Sequence, residues 1–217
     1  MVIVSNEDAF NIRYNYSQTP DYVVGIFTKN LSNSGERIKL SYGAGTPIID
    51  FNYEDQFPWP ESADGNGHSL VLISHKSISN HNSPKNWRMS KYLGGSPGDN
   101  DSIQFKGDEN GDGNSNGIHD LMEYAIRGSL EIETANIDGL TYPTVSYTLS
   151  LGADEVVVAV QYSNNLMDWS NLEDKPVIFS EEYIGEGLTK VNIRKKTSLL
   201  EDDNLKFYRL KITKRQN

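Results

Sequence analysis

Twelve consecutive residues, Asp112 to Glu123, have the types and spacing of a calcium-binding loop. The pattern requires Asp first, Asp or Asn at the third and fifth positions, Gly at the sixth and Glu at the twelfth, and every position matches. Calcium binds six to eight oxygens, so ligands alternate along such a loop and a glycine permits its sharp turn. The expected ligands are Asp112, Asn114, Asn116, the backbone carbonyl of Ile118, Asp120 directly or through water, and both carboxylate oxygens of Glu123.

Two other interpretations of this segment remain open. A second register runs through Asp108, Asn110, Asp112 and Gly113, but it places His119 at the closing position, where calcium needs a carboxylate. A turn that binds nothing is also possible, because Asn, Asp and Gly favour turns by themselves. The number of matching positions favours the first register and one bound Ca²⁺.

The charge distribution agrees with a cation site. The formal net charge is −10, and residues 101–140 carry nine acidic and two basic side chains, so this short stretch accounts for most of it. The acidic balance argues against a nucleic-acid-binding protein, which needs clustered Lys and Arg. No stretch approaches the ~18 apolar residues that a membrane span requires.

Catalytic constellations are missing from the sequence. The chain has no cysteine, which excludes disulfides, thiolate catalysis and Cys-type zinc sites. No Gly-x-Ser-x-Gly elbow follows a strand, and the four histidines do not pair at zinc-ligand spacing on a recognisable helix (His68, His75, His81 and His119). We therefore expect no enzyme. An unrecognised hydrolase would need a carboxylate pair or a His–carboxylate pair in a concave pocket with perturbed titration.

Aromatic residues give a weaker signal for ligand binding. Trp59, Trp87 and Tyr92 could form a face on which sugars stack, provided that they lie exposed in one plane. Such residues more often close the end of a β-sandwich, and we expect packing here.

The elements around the loop are predicted to be strands in two domains. Residues 1–95 form the first, residues 96–140 a linker with the loop and one short helix, and residues 141–217 the second. Segments rich in β-branched and aromatic residues and bounded by turn residues predict the strands. The first domain should contain Val2–Val4, a capped helix after Ser5, then Tyr22–Thr28, Glu36–Tyr42, Ile48–Tyr53 and Ser69–Ser74.

The linker and the second domain follow from the same reasoning. Gly94 to Asp101 cannot hold a regular element, Ile103 to Lys106 looks extended, and the spacing of Leu121, Met122, Ala125 and Ile126 predicts the helix. Alternation from Thr144 to Leu151 and from Val156 to Tyr162, across a Gly-Ala-Asp turn, predicts a hairpin. Further strands are expected at Val177–Phe179, Lys190–Arg194 and Lys206–Thr213.

Several blocks of the first domain resemble the later half of bacterial lamin-tail domains. They are Leu31–Leu40, Asp50–Tyr53, Pro58–Pro60, Ala63–Leu72, Asn86–Arg88 and Gly94–Gly98. The resemblance implies an immunoglobulin-like sandwich from a large exported surface protein. Lamin-tail domains begin with strands that this chain lacks, so the sandwich is expected to be incomplete.

The rest of the chain is similar to the C-terminal module of such surface proteins, in which a calcium-type loop precedes a small β domain. Asp112–Ala125, Tyr162–Ser170 and Phe207–Leu210 carry this similarity. It implies a non-catalytic, calcium-stabilised structural or adhesion module at the cell surface or in the envelope, although the chain itself shows no signal peptide.

The resemblance also implies a protein or envelope partner, and an exposed sheet edge allows self-association. The alternative is a carbohydrate- or protein-binding accessory module of a secreted enzyme.

Overall fold

The computed structural model describes residues 1–73, 80–174, 176–197 and 207–215. The chain divides into two compact units. The first is built by Met1–Leu72 with the described part of Ile78–Asp101, and the second by the described parts of Ile73–Ser77 and Ser102–Asn217. The predicted all-β class, with a short helix after the loop, is confirmed. Among the described residues, no helix is long and apolar enough to cross a membrane.

The first unit consists of three pairs of strands and one helix. Its elements are β1 (Val2–Val4), α1 (Glu7–Tyr14), β2 (Val23–Ile26), β3 (Glu36–Tyr42), β4 (Thr46–Tyr53), β5 (Leu70–Leu72) and β6 (Trp87–Met89). Strand β1 pairs in parallel with β2, whereas β3–β4 and β5–β6 are antiparallel. The predicted helix cap is present, because the Asn6 side chain accepts a hydrogen bond from the Ala9 amide at 2.8 Å.

The segment Gly94 to Asp101 has no regular element, as its composition predicts, yet it is folded onto the first unit. Asp101 is buried, and one of its carboxylate oxygens pairs with the Arg88 guanidinium at 2.6 Å. The same carboxylate accepts hydrogen bonds from the Lys91 amide at 3.0 Å and the Ser96 hydroxyl at 2.9 Å. A buried polar centre therefore closes this unit.

The second unit is a two-sheet sandwich. It contains α2 (Asp120–Ala125), β7 (Ile126–Ile137), β8 (Leu140–Ser150), β9 (Val156–Ser163), β10 (Ser170–Asn171), β11 (Val177–Gly185), β12 (Leu188–Lys195) and β13 (Phe207–Lys214). One sheet has the order β11-β12-β8-β7 and the other β10-β9-β13. Their inward-facing side chains form one apolar core that includes Val145, Val160, Leu172, Val191 and Ile193.

The predicted hairpin from Thr144 to Tyr162 is wrong. Strand β8 pairs with β7 and β12, while β9 pairs with β10 and β13, so the connection passes from one sheet to the other. The two apolar faces meet across the core instead of lying side by side. Leu151 and Ala153 are accordingly buried, and the Gly152 carbonyl accepts a hydrogen bond from the Ile103 amide at 2.7 Å.

Three of the described strands were not predicted, namely β6, β7 and the two-residue β10. Strand β6 is three residues long, and β7 lies within the stretch assigned to the linker. Most of β7 is exposed, so it lacks the alternating apolar pattern by which a half-buried strand is recognised. Of the predicted segments, Ser74 and Lys206 lie outside the described residues.

Candidate metal centre

The core of the second unit holds the C-terminal end of the loop. Helix α2 starts at Asp120, and its Leu121 and Ala125 are buried in the core next to Ile126 of β7. The helix has only six residues, so packing rather than helix propensity stabilises it. Glu123 lies on this helix, and its position is therefore set by the core.

The N-terminal end of the loop is attached to the same unit. The Phe105 amide donates to a Glu155 carboxylate oxygen at 2.9 Å, and the Tyr124 hydroxyl donates to the Ile103 carbonyl at 2.6 Å. The rings of Phe105 and Tyr124 lie 5.2 Å apart. An extended segment thus takes the place of the entering helix of a paired EF-hand, and both ends of the loop are fixed.

A salt bridge adds to this attachment. The Lys214 ammonium lies 2.9 Å from a Glu109 carboxylate oxygen, and this hydrogen bond raises the pKa of Lys214. Lys214 belongs to β13, so the bridge connects the start of the loop to a strand of the sandwich.

Inside the loop, the Glu123 carboxylate accepts hydrogen bonds from two side-chain amides. The Asn114 Nδ2 atom lies 3.0 Å from both Glu123 oxygens, and the Asn116 Nδ2 atom lies 2.7 Å from Oε1. Three of the predicted ligands therefore converge on one point, although their sequence positions span ten residues.

Asp112 organises the turn at the centre of the loop. Its Oδ1 accepts from the Asn116 amide at 3.0 Å and its Oδ2 accepts from the Gly117 amide at 2.7 Å. Gly117 has φ +86, the left-handed conformation that favours glycine, whereas the φ of Gly113 is not in that range. The sharp turn thus lies at the glycine of the first register, which favours Asp112 to Glu123 over the overlapping alternative.

The other two predicted ligands have different surroundings. The Ile118 amide donates to Asn116 Oδ1 at 2.8 Å, so this residue is connected to the converging group. Asp120 instead contacts the start of the loop and the turn before it: its Oδ1 accepts from the Gly113 amide at 2.8 Å and its Oδ2 from the Asp108 amide at 3.2 Å. Sequence spacing gave no signal for this bracing role.

The chemistry of these donors suits a hard cation, because carboxylate, amide and carbonyl oxygens are calcium ligands. Within the described part of the chain, no three His, Asp or Glu side chains converge as a metal site. With Asp120 turned elsewhere, the predicted ligands supply two carboxylates, those of Asp112 and Glu123, and the remaining oxygens must come from amides. Binding also requires the Asn114 and Asn116 amides to rotate, since their nitrogens now face Glu123.

The candidate sugar-stacking residues are packed inside the first unit. Trp59 is buried, its ring centroid lies 6.0 Å from that of Trp87, and the two planes are tilted by 41°. Trp87 also stacks on Phe51 with centroids 5.1 Å apart. Tyr92 is 50% exposed and lies outside this packed group, so the three side chains form no common exposed face, and packing is the role of Trp59 and Trp87 only.

The described histidines are placed separately. His68 is buried, with its Nδ1 atom 2.7 Å from the Ser90 carbonyl oxygen, and His81 packs on Phe51 with ring centroids 5.7 Å apart. His119 precedes α2, and His75 lies outside the described residues.

Comparison with protein-family models, with curated proteins and with solved structures finds no match to this chain. The resemblance to lamin-tail domains and their C-terminal modules therefore stays a prediction.

Proposed function

We propose that this chain is a non-catalytic structural or adhesion module whose second unit binds one Ca²⁺ in the loop Asp112–Glu123. The supporting observation is the convergence of Asn114, Asn116 and Glu123, next to a turn that Asp112 organises, in a loop whose two ends are fixed to one core. The cation would come from solution and would be held by Asp112, Asn114, Asn116, the Ile118 carbonyl and Glu123, with Asp120 bracing the turn.

Charge supplies the driving force for binding. Asn116 contacts both carboxylates, that of Asp112 through its backbone amide and that of Glu123 through its side-chain amide, and acidic residues predominate in the surrounding segment. A divalent cation relieves the repulsion among these carboxylates and takes the place of the amide hydrogens that now contact Glu123. Binding should be weak, with a dissociation constant of about 10⁻⁵ to 10⁻³ M, because the loop is unpaired and two of its side-chain ligands are neutral.

An affinity in this range suits a protein exposed to extracellular calcium. We also propose that the chain acts at the cell surface or in the envelope as part of a larger exported protein. Ligand bound only to the folded state adds about 2.7 kcal/mol of stability when its concentration is 100 times its dissociation constant. Calcium would then act as a structural element of the second unit.

The first unit offers a surface for a protein or envelope partner. Its described strands form separate two-stranded sheets, so unpaired backbone groups remain along their edges. Val24, Ile26 and Ile48 on these strands are more than half exposed. Strand pairing with another copy or with a partner chain would cover both features.

Amide hydrogen exchange on the full chain tests the calcium proposal. We expect peptides that cover residues 107–125 to exchange faster in chelator than in millimolar calcium, because the cation holds the loop and helix α2 together. The Glu123→Gln variant should show little calcium effect, and Glu133→Gln, a matched change on the exposed part of β7, should behave as the parent does. Equal protection in calcium and chelator would refute the proposal.

A further inference from the structure

The first unit contains a cavity of about 520 Å³ that lies apart from the loop. This volume falls within the range of small-ligand sites, roughly 300 to 1,000 Å³. Its walls combine aromatic side chains, chiefly Phe51 and Trp87, with the carboxylates of Glu54, Asp55 and Asp64. The cavity wall is therefore both aromatic and acidic, and we call Phe51 and Trp87 its floor and the three carboxylates its rim.

The aromatic floor is rigid before any ligand arrives. Phe51 and Trp87 are stacked with an interplanar angle of 25° and ring centroids 5.1 Å apart. The Trp87 indole N–H donates to the His81 carbonyl at 2.9 Å, and Phe51 is fixed opposite Ile38 in the β3–β4 pair. Because these side chains are already ordered, little of the binding free energy of a stacked ligand is spent on ordering the protein.

The rim carries negative charge only. Glu54 follows β4, and its carboxylate lies against Gly35, where a Cβ atom would come within 2.9 Å of Oε2. Asp64 ends the short 3₁₀ turn Glu61–Ala63. In the described part of the chain, no Lys or Arg lines the cavity.

We propose that this cavity binds a basic segment of a protein partner by taking up an arginine side chain. A planar guanidinium stacks on aromatic faces and forms charge-assisted hydrogen bonds with carboxylates, so one group satisfies both the floor and the rim. Lysine offers a compact, strongly hydrated charge and should bind more weakly. Charge complementarity is the reason for choosing a basic partner over a neutral or acidic one.

Nuclear magnetic resonance on the full ¹⁵N-labelled chain tests this site, with the Trp87 indole N–H as the reporter. Its signal is assigned from the Trp87→Phe spectrum. The probe is N-acetyl-Gly-Arg-Gly-amide, and the control is the same peptide with citrulline, which keeps the shape of arginine and removes its charge. We expect a saturable shift of the Trp87 signal with the arginine peptide. The affinity from this titration should be at least about tenfold higher than that of the citrulline peptide, and it should fall as salt is added.

Charge variants identify the rim. Asp64→Asn and Glu54→Gln should each lower the affinity for the arginine peptide several-fold. Asp21 is an exposed residue of the same unit that does not line the cavity, so Asp21→Asn should leave the affinity unchanged. Spectra that otherwise match the parent establish that the variants fold. The proposal is overturned if citrulline binds as well as arginine, if Asp21→Asn weakens binding as much as the rim variants, or if only a neutral disaccharide shifts Trp87.

Discussion

Each of the two units of this chain is stabilised internally in its own way. In the second, strands of two sheets and helix α2 share one apolar core, in which Val160 and Leu172 are completely buried. The first has three separate strand pairs, and the buried carboxylate of Asp101 binds Arg88, Lys91 and Ser96.

This difference determines how each unit responds to damage. Apolar burial is distributed over many contacts, so the loss of one side chain removes only its share of the core. A buried ion pair with its hydrogen bonds depends on every partner, because removing one leaves the others buried without compensation. The first unit should therefore be sensitive at a single polar position, and the second should lose stability more gradually.

The largest effect is expected for Asp101→Asn. This change removes the carboxylate that pairs with the Arg88 guanidinium, which is only 11% exposed, and breaking such a buried pair typically costs about 3–5 kcal/mol. Chemical denaturation of the full chain should show a lower free energy of unfolding. Hydrogen exchange should show that the amides that lose protection lie in residues 1–72 and 80–101. A variant as stable as the parent would contradict the role of this polar centre.

Leu172→Ala should have the next largest effect, this time in the second unit. Leu172 is fully buried, so its truncation should cost about 2–5 kcal/mol through lost burial and a residual cavity. Leu166→Ala is the matched control, because Leu166 is 57% exposed. If the two variants lose equal stability, the core described for this unit does not determine its stability.

Glycine substitutions test the register of the loop. Gly117→Ala places a side chain at φ +86, which costs roughly 1–2 kcal/mol and should weaken calcium binding about tenfold. Gly113 does not have a left-handed φ, so Gly113→Ala causes no such backbone strain and should weaken calcium binding much less. Calcium titrations of both variants compare them directly, and the opposite order would favour the register that starts at Asp108.

The smallest effect should come from exposed ion pairs. Arg37 lowers the pKa of Asp50 in the first unit, and Lys190 lowers the pKa of Glu131 in the second. A carboxyl group whose pKa is lower in the folded state stabilises the fold above its unfolded pKa, and this stability is lost as the pH falls through the folded value.

We therefore expect a slight fall in melting temperature below about pH 4, in both units alike. Asp50→Asn should reduce this dependence in the first unit, and thermal melting across that pH range measures it. An Asp50→Asn protein with an unchanged pH profile would contradict the assignment.

The sequence predicted features that depend on local pattern. Strand β3, Glu36–Tyr42, was placed correctly because its ends are marked by turn residues, and the candidate loop could be proposed because ligand spacing is a local property. The partners of β8 and β9 could not be predicted, since alternation specifies a strand's faces but not its neighbours. The role of Asp101 was hidden in a segment whose composition resembles a linker, and nothing in the spacing of Asp120 indicates that it faces Asp108 and Gly113.

The most direct test of the calcium site is titration calorimetry of the full chain, with Glu123→Gln and Glu133→Gln alongside it. We predict one calcium per chain for the parent and for Glu133→Gln, and at least about tenfold weaker binding for Glu123→Gln, which loses the bidentate closing ligand. No binding heat in the parent at several temperatures, or a Glu123→Gln protein that binds calcium as the parent does, would contradict the account.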